Sequence, residues 1–503
     1  MTDVLIVGAG PTGLTLACDL ARRGVPFRLI DAAEGGFPGS RAKGVQPRTL
    51  EVFDDLGLLD DIVAHSRTYP LLGLHVGPVT LPWRMMGRHK VTEDVPHPET
   101  RLIPQYDTDA CLRRRLEELG GRVEYGTRLT SLVDRGDGVV ATVTGPDGER
   151  TIRSRFVVGA DGGASTVRVQ ADIPFVGRTD ESDKMIVADV LVDGLSRNRW
   201  HIWPRNGGRF LALCPLPGDK FQLMLRLKPG ETPDRDPAAI RRLVHDASGR
   251  AGLEVREVFW SSVFRPNVRL VERYRAGNAL LAGDAAHVHT PAGAQGLNTG
   301  VQDAYNLGWK LAQVLAGAPQ ALLDSYEAER RPVAARVLGL SSELYRKLGE
   351  RPLAAATRGD EERQLKLNYR DSPLTQHSVT DTPVQAGDRA PNAKYRDSEG
   401  RAGTLFDRFR GPHFTLLDIG DTTTDALPWP ATGAELHVVK IPTGAAPSLT
   451  AIYGLTGPTR ILVRPDGYIA HIATTDWTAA LARSARTLAP PLVSSGGGAG
   501  QRR

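Results

Sequence analysis

Apolar residues follow two rhythms along this chain. Val4–Val7 is a short apolar run, and a glycine-rich turn follows from Gly8 to Gly13. Apolar positions then recur at helical spacing to about Arg23, and a second run, Val25–Ile30, ends at Asp31. Strand, turn, helix and strand in that order open a βαβ unit. Further helical spacing predicts helices over Thr49–Ala64 and Asp107–Leu119, with Asp107 as N-cap. Arg122–Tyr125, Leu129–Asp134, Gly138–Thr144, Arg150–Arg153 and Phe156–Gly159 read as strands; Gly136-Asp137-Gly138 and Pro146-Asp147-Gly148 mark turns.

The texture changes between Asp183 and Arg265. Alternating runs at Met185–Val192, Trp200–Trp203, Arg209–Cys214 and Phe221–Leu227, with a helix over Pro237–Ala247, predict an antiparallel sheet inserted into the α/β part. Ala279–Ala282 reads as a buried strand, Asn298–Leu315 as a long helix with an apolar face, and Ala321–Leu348 as further helix. Strands at Phe414–Asp418, Glu435–Lys440 and Arg460–Val463 and a helix at Thr478–Leu488 form a last compact unit. The expected division is 1–75, 98–182 and 268–345 for a discontinuous nucleotide-binding domain, and 76–97 with 183–267 for the sheet domain. Residues 346–386 form a helical and linker segment, polar from Arg351 to Thr382, 387–490 the last unit, and 491–503 a Ser/Gly-rich disordered tail.

Composition narrows the function classes. The 503 residues are 41% hydrophobic and 24% charged, an ordinary balance for two or three packed domains. The net charge of +5 is spread among acids with no basic block, which argues against nucleic acid. No apolar run is long enough to span a membrane, and no signal-peptide pattern precedes Val4. Cys18, Cys111 and Cys214 are scattered with no C-x-x-C, so neither a metal site nor a disulfide framework is expected, and a cytoplasmic location fits.

Three motifs carry chemistry. In Gly8-x-Gly10-x-x-Gly13, Gly8 allows the sharp turn, Gly10 lets a pyrophosphate approach, and Gly13 lets helix and strand pack. Pro11 and Thr12 open a helix whose N-terminus favours an anion, and Asp31, with Ala32 beside it, lies where a carboxylate accepts ribose hydroxyls. The second motif, Val157 to Arg168, is a buried strand ending in the turn Asp161-Gly162-Gly163. In the third, a strand delivers Asp284 toward a ribityl hydroxyl. A small-residue loop containing Pro291 then leads to Gly296-Leu297-Asn298 at the start of the long helix. Backbone N–H groups there would stabilise a flavin ring that gains negative charge on reduction.

These motifs, in this order, resemble the single-component FAD-dependent aromatic hydroxylases of the para-hydroxybenzoate hydroxylase fold. Ser40-Arg41-Ala42, Pro47 to Glu51, Pro104-Gln105-Tyr106 and Gln302 to Leu311 add to the resemblance, which covers about residues 1–340. It is closest to the bacterial branch acting on polyketide-type and antibiotic aromatics, which carries a C-terminal thioredoxin-like domain. The implied fold is a Rossmann-like FAD-binding domain with an inserted antiparallel sheet for substrate and a thioredoxin-like domain. No cysteine follows Cys214, so that domain cannot perform thiol–disulfide exchange.

The resemblance implies FAD as cofactor, NADPH or NADH as co-substrate and O2 as oxidant. An electron-rich aromatic would be hydroxylated through a flavin C4a-hydroperoxide. FAD-binding candidates are Gly8, Gly10, Pro11, Thr12, Gly13, Asp31, Ala32, Arg41, Gln105, Leu129, Asp161, Asp284, Pro291, Gly296, Leu297 and Asn298. Substrate candidates are Trp203, Arg205, Phe210, Cys214, Arg226 and Pro291, against core packing as the plain alternative. His287 and His289 are expected to hold the third loop rather than act as bases, and no catalytic base is assigned. Baeyer–Villiger insertion, oxidase chemistry and a non-catalytic FAD-binding partner remain alternatives on the same fold. The substrate's identity, its regiochemistry and the oligomeric state, monomer or homodimer, are left open.

Overall fold

Five strands run parallel through the first domain of the computed structural model, which describes residues 2–206, 209–290, 295–350, 359–377, 382–420 and 427–489. Thr2–Val7 lies between Phe27–Ile30 and Gly148–Gly159, with Val4 facing Phe27 on one side and Phe156 on the other. Val123–Glu124 and Ala279–Leu281 extend the parallel array on either side. The stretches expected as two strands, Arg150–Arg153 and Phe156–Gly159, are one strand whose first half pairs antiparallel with Val139–Gly145. The helices Pro11–Arg22 and Gly296–Leu315 pack so closely that Asp19 stands where a Cβ on Gly308 would lie.

Local departures from expectation have local causes. Gly57, at φ +77°, breaks the stretch expected as one helix into Pro47–Asp55 and Leu59–Ala64. The next helix begins at Gln105, because Pro104 takes the N-cap position with φ −68°; Asp107 sits inside the first turn and is not the N-cap.

The inserted domain is a seven-stranded sheet. Its order is Glu254–Phe264, Met185–Asp193, Phe221–Arg226, Arg209–Pro215, Arg199–Asn206, Leu71–Val76, Val79–Trp83. One pair, Arg199–Asn206 with Leu71–Val76, is parallel, so the sheet is not wholly antiparallel. Residues 71–75 therefore belong to this sheet and not to the nucleotide-binding domain, since their hydrogen-bond partners are there. Helix Pro237–Ser248 covers one face and buries Ile240 and Val244 among Leu211, Leu213 and Leu223.

The last unit has strand order Leu436–Ile441, Phe414–Ile419, Thr459–Val463, Ile469–Ala473. The first two are parallel and the others antiparallel, with helices Pro447–Tyr453 and Trp477–Leu488: the thioredoxin-like arrangement. It docks on the long helix, where Trp309 meets Phe414 edge to face at 5.6 Å.

The segment expected as helix and linker begins helical as expected, but its polar part is packed where it is described. Helix Asp324–Glu350 runs into it, and Glu362, Gln364, Tyr369 and Ser372 beyond are buried. Their polar side chains satisfy buried groups: Arg330 donates to the Tyr369 hydroxyl (2.9 Å), and Ser372 donates to Glu329 (2.6 Å). The tail 491–503 lies outside the described residues.

Candidate cofactor cradle and substrate face

The three motif turns leave the carboxyl ends of neighbouring parallel strands, the place where open α/β sheets bind ligands. They also interlock. Gly8 has φ +104°, and a Cβ there would lie 2.4 Å from the Ala160 carbonyl oxygen of the second turn. A Cβ on Gly13 would lie 1.9 Å from the Gly8 oxygen. Thr12 fills the space left by Gly283 and Gly300 of the third motif, whose Cβ atoms would meet its Oγ1 at 2.5 and 2.3 Å. Arg168 closes the set by donating to Ala285 O (3.0 Å) and Gly163 O (2.8 Å).

Gly10 behaves oppositely: a Cβ there meets nothing within 4 Å. It is the N-cap of a helix with Pro11 in its first turn, no side-chain cap and no acid in that turn, so open space adjoins uncapped N–H groups. An anionic pyrophosphate fits that chemistry. Asp31 is held in place, accepting from Ala9 N (2.7 Å) and Ala33 N (2.8 Å), with exposed Ala32 between. Leu129 is buried on the adjoining strand, where Thr127 N donates to Asp31 O (2.8 Å).

Asp161 accepts from Thr166 N (2.7 Å) and Val167 N (3.2 Å), the first N–H groups of the helix Thr166–Gln170, whose N-cap is Ser165. Its other oxygen is buried without a partner, and burial pushes the carboxyl up. Gln105 N donates to Ala42 O (2.9 Å), and its amide reaches Asp109 (3.4 Å). Asp109 was not anticipated. It is buried with one oxygen unpaired, and burial, reinforced by the charge of Asp31, raises its carboxyl to about 7 against Gln105 and Arg113. The signal was available: Asp109 is four residues after Gln105, on the same helix face.

In the third motif Asp284 is exposed, with Oδ1 4.0 Å from where a Gly296 Cβ would sit. Asn298 ties the long helix to the segment after Arg41, accepting from Gln46 N and donating to Gly44 O, both at 2.8 Å. Leu297 is half-buried against the core, and Gln46 Nε2 is buried without a partner. Arg41 is exposed with its guanidinium 4.9 Å from the Phe37 ring centre. Pro291 lies outside the described residues.

Behind this loop Asp303 is fully buried. It accepts from Gly283 N (3.1 Å), His287 Nε2 (2.7 Å) and Arg330 Nε (2.7 Å), and the Arg330 guanidinium, with the His287 contact, holds its carboxyl low despite burial. His287 thus braces the loop, and His289 Nδ1 pairs with Thr290 O (2.7 Å).

Facing the segment Ser40–Gln46 is one side of the inserted sheet. Cross-strand pairing places Ile202 with Ala212, Ala212 with Met224 and Cys214 with Gln222 on that side, where Trp200 packs against the cluster that holds Cys214. Cys214 is buried there, Phe210 shares the face by alternation, and Arg226 is ion-paired with Asp183 at 2.6 Å. Trp203 does not join them. It pairs with Leu211 on the opposite side, under helix Pro237–Ser248, stacked 4.1 Å from His75. Trp203 is therefore corrected from substrate candidate to core, because the covering helix takes that face. Arg205 lies on a described strand, but its side chain is outside the described residues.

Asp61, His65 and Cys111 bring metal-ligand atom types together. The Arg114 guanidinium already occupies that group, 2.6 Å from Asp61 and 3.3 Å from Cys111 Sγ, so its charge is satisfied without an ion. No described helix is long and apolar enough to cross a membrane.

Comparison with known proteins agrees with this geometry. Residues 1–341 match the FAD binding domain family, and residues 384–491 match the aromatic-ring hydroxylase C-terminal family. A flavin-dependent monooxygenase of Mycobacteroides abscessus is 41% identical over 93% of this chain and 96% of its own length. A 12-dehydrotetracycline 5-monooxygenase/anhydrotetracycline 6-monooxygenase of Streptomyces rimosus is 34% identical over 95% of each chain. The structure of aklavinone-11 hydroxylase with FAD and aklavinone superposes with a TM-score of 0.80 at 26% identity, over 97% of this chain and 98% of that one.

Proposed function

The chain belongs to the FAD-dependent aromatic-ring hydroxylases, a family of flavin monooxygenases, and we propose that it hydroxylates a fused polycyclic phenol with NADPH as reductant and O2 as oxidant. The observation that carries this reading is the interlocked set of three turns, open at Gly10 beside uncapped helix N–H groups and set beside a sheet face bearing Trp200, Met224 and Cys214. When bound, reduced flavin supplies the activation of O2 at its C4a position and the delivery of one oxygen atom to an electron-rich ring carbon.

The chain's own residues do the rest. Gly10 and the helix after it receive the pyrophosphate, Asp31 the adenosine ribose, and Asp284 the ribityl chain. Gly296, Leu297 and Asn298 present N–H groups to the pyrimidine end of the ring, where negative charge develops on reduction. Gln105 and Arg41 flank the cofactor from the neighbouring segments. Phe210, Cys214 and Arg226 lie on the substrate side, where the sheet excludes water.

The substrate class follows from electron demand and from the relatives acting on tetracycline precursors and aklavinone. The test is turnover of anhydrotetracycline or aklavinone with NADPH under labelled oxygen gas. One labelled atom is expected in the product and the other in water, with one NADPH consumed per product. A product oxygen derived from labelled water would reject the proposal.

A further inference from the structure

Lys43 has no carboxylate within ion-pair distance among the described residues. Its Nζ instead touches the Gln222 amide oxygen, lies 3.6 Å from Met224 Sδ, and stands 4.6 Å from the Trp200 ring centre. All three groups belong to the sheet face opposite the segment Ser40–Gln46. That segment is fixed from both sides. Ala42 O accepts from Gln105 N, and Lys43 O accepts from Ile103 N (3.1 Å) and the Tyr69 hydroxyl (3.1 Å). Asn298 holds Gly44 and Gln46, and Ser40 N donates to Asp189 (2.9 Å). The amine therefore stands between the cofactor-side segment and the substrate-side sheet, one residue from the start of the long helix's anchor.

We propose that Lys43 holds the ionised phenolic oxygen of the substrate: the O–H bond breaks, its proton passes to Nζ, and the resulting phenolate stays paired with the ammonium. The inference rests on the aromatic-hydroxylase reading above. A cation removed from water is costly unless an anion joins it, and neither an amide oxygen, a thioether nor an indole supplies that charge. Burial disfavours the ammonium, which leaves the amine ready to accept a proton; the carboxylate of Asp189 and the Cys214 thiol act in the opposite sense. Electrons released into the ring by the phenolate are what an electrophilic oxygen donor requires.

The experiment uses FAD-loaded enzyme and alizarin, a fused phenolic dye whose absorbance shifts beyond the flavin bands on ionisation. Below the free dye's ionisation midpoint, the wild-type enzyme is expected to bind it as phenolate without releasing a proton to the buffer. Lys43→Met is expected to bind about tenfold to a hundredfold more weakly and to leave the dye neutral. Lys43→Arg is expected to keep the phenolate but to release a proton, since a guanidinium cannot take one. Wild-type affinity and a phenolate spectrum in FAD-replete Lys43→Met would overturn the proposal, as would a neutral dye on the wild type. If the Met variant loses FAD, proton release by Lys43→Arg equal to wild type overturns it instead. Loss of NADPH-dependent flavin bleaching with every phenol would sink the hydroxylase reading itself, a separate outcome.

Discussion

The two halves of the helix Gly296–Leu315 solve different problems. Its first turn meets the cofactor cradle through glycines and backbone, with no side-chain cap and with unpaired polar atoms on Gln46 and Asp161 nearby. Its second half meets the thioredoxin-like domain through ions. Arg464 pairs with Glu329 (2.6 and 2.9 Å), Lys310 donates to Glu329 (2.7 Å), and Asn306 and Trp309 donate to Asp466 (3.0 and 3.1 Å). Arg389 of the same domain grips Glu51, which also binds Arg48 at 2.8 Å. The site that must receive a ligand leaves carboxylate and amide atoms of Asp161 and Gln46 unused, whereas in the joint the carboxylates of Glu51, Glu329 and Asp466 are all paired with cations, and only Arg48 Nε and the Tyr468 hydroxyl stay unpartnered there among the described residues. The cysteine-free domain is thus built in as a fixed part of the hydroxylase.

The largest effect should come from breaking the joint. Glu329→Ala strands Arg464 and Lys310 in the interior, at a cost of about 3–5 kcal/mol. Chemical denaturation should show that loss, while FAD affinity of the folded fraction stays near wild type. Two aspartates then separate the roles on one loop. Asp303→Ala should lower stability by a similar amount, because Arg330 and His287 lose their shared partner. Asp284→Ala should leave the apoprotein's unfolding unchanged and weaken FAD binding about tenfold to a hundredfold, read by titration of apoprotein. Equal behaviour of the two would erase the distinction.

A smaller effect is expected at Gly10. The added methyl of Gly10→Ala enters open space, so stability should fall by no more than about 1 kcal/mol, the difference between glycine and alanine at an N-cap, while FAD affinity falls. Acid should act more gently still at first. Burial brings His75 and His471 down to about 4 from 6.5, so the unfolded chain binds more protons in that interval. Stability should therefore fall as pH drops from 6.5 to 4, and His75→Gln should flatten that slope. Below about 4.5 the decline should steepen, because Glu329 and Glu51, held low by their arginines, must take protons. The smallest effect is none: Cys18, Cys111 and Cys214 are buried, and burial lifts their thiols to about 12, 12 and 11. Native protein should resist iodoacetamide, and mass spectrometry would reveal any labelling.

The cradle was legible in the sequence because glycines stand where no Cβ fits. Gly8, Gly13 and Gly283 mark forced close approaches, and a motif search finds them without knowledge of the fold. Three things escaped. Alternation told which residues of Arg199–Asn206 share a face, but not that helix Pro237–Ser248 covers the Trp203 side. Residues 359–377 look like solvated linker, because the groups their Gln364, Tyr369 and Ser372 satisfy lie on distant helices. Asp109 carries no motif; only its spacing from Gln105 points to it.

The most direct test of the account is the flavin released when the purified protein is denatured. The protein should be yellow, and denaturation should free FAD, non-covalently held and stoichiometric with the chain. A colourless protein that also fails to bind added FAD would contradict the cradle and everything built on it.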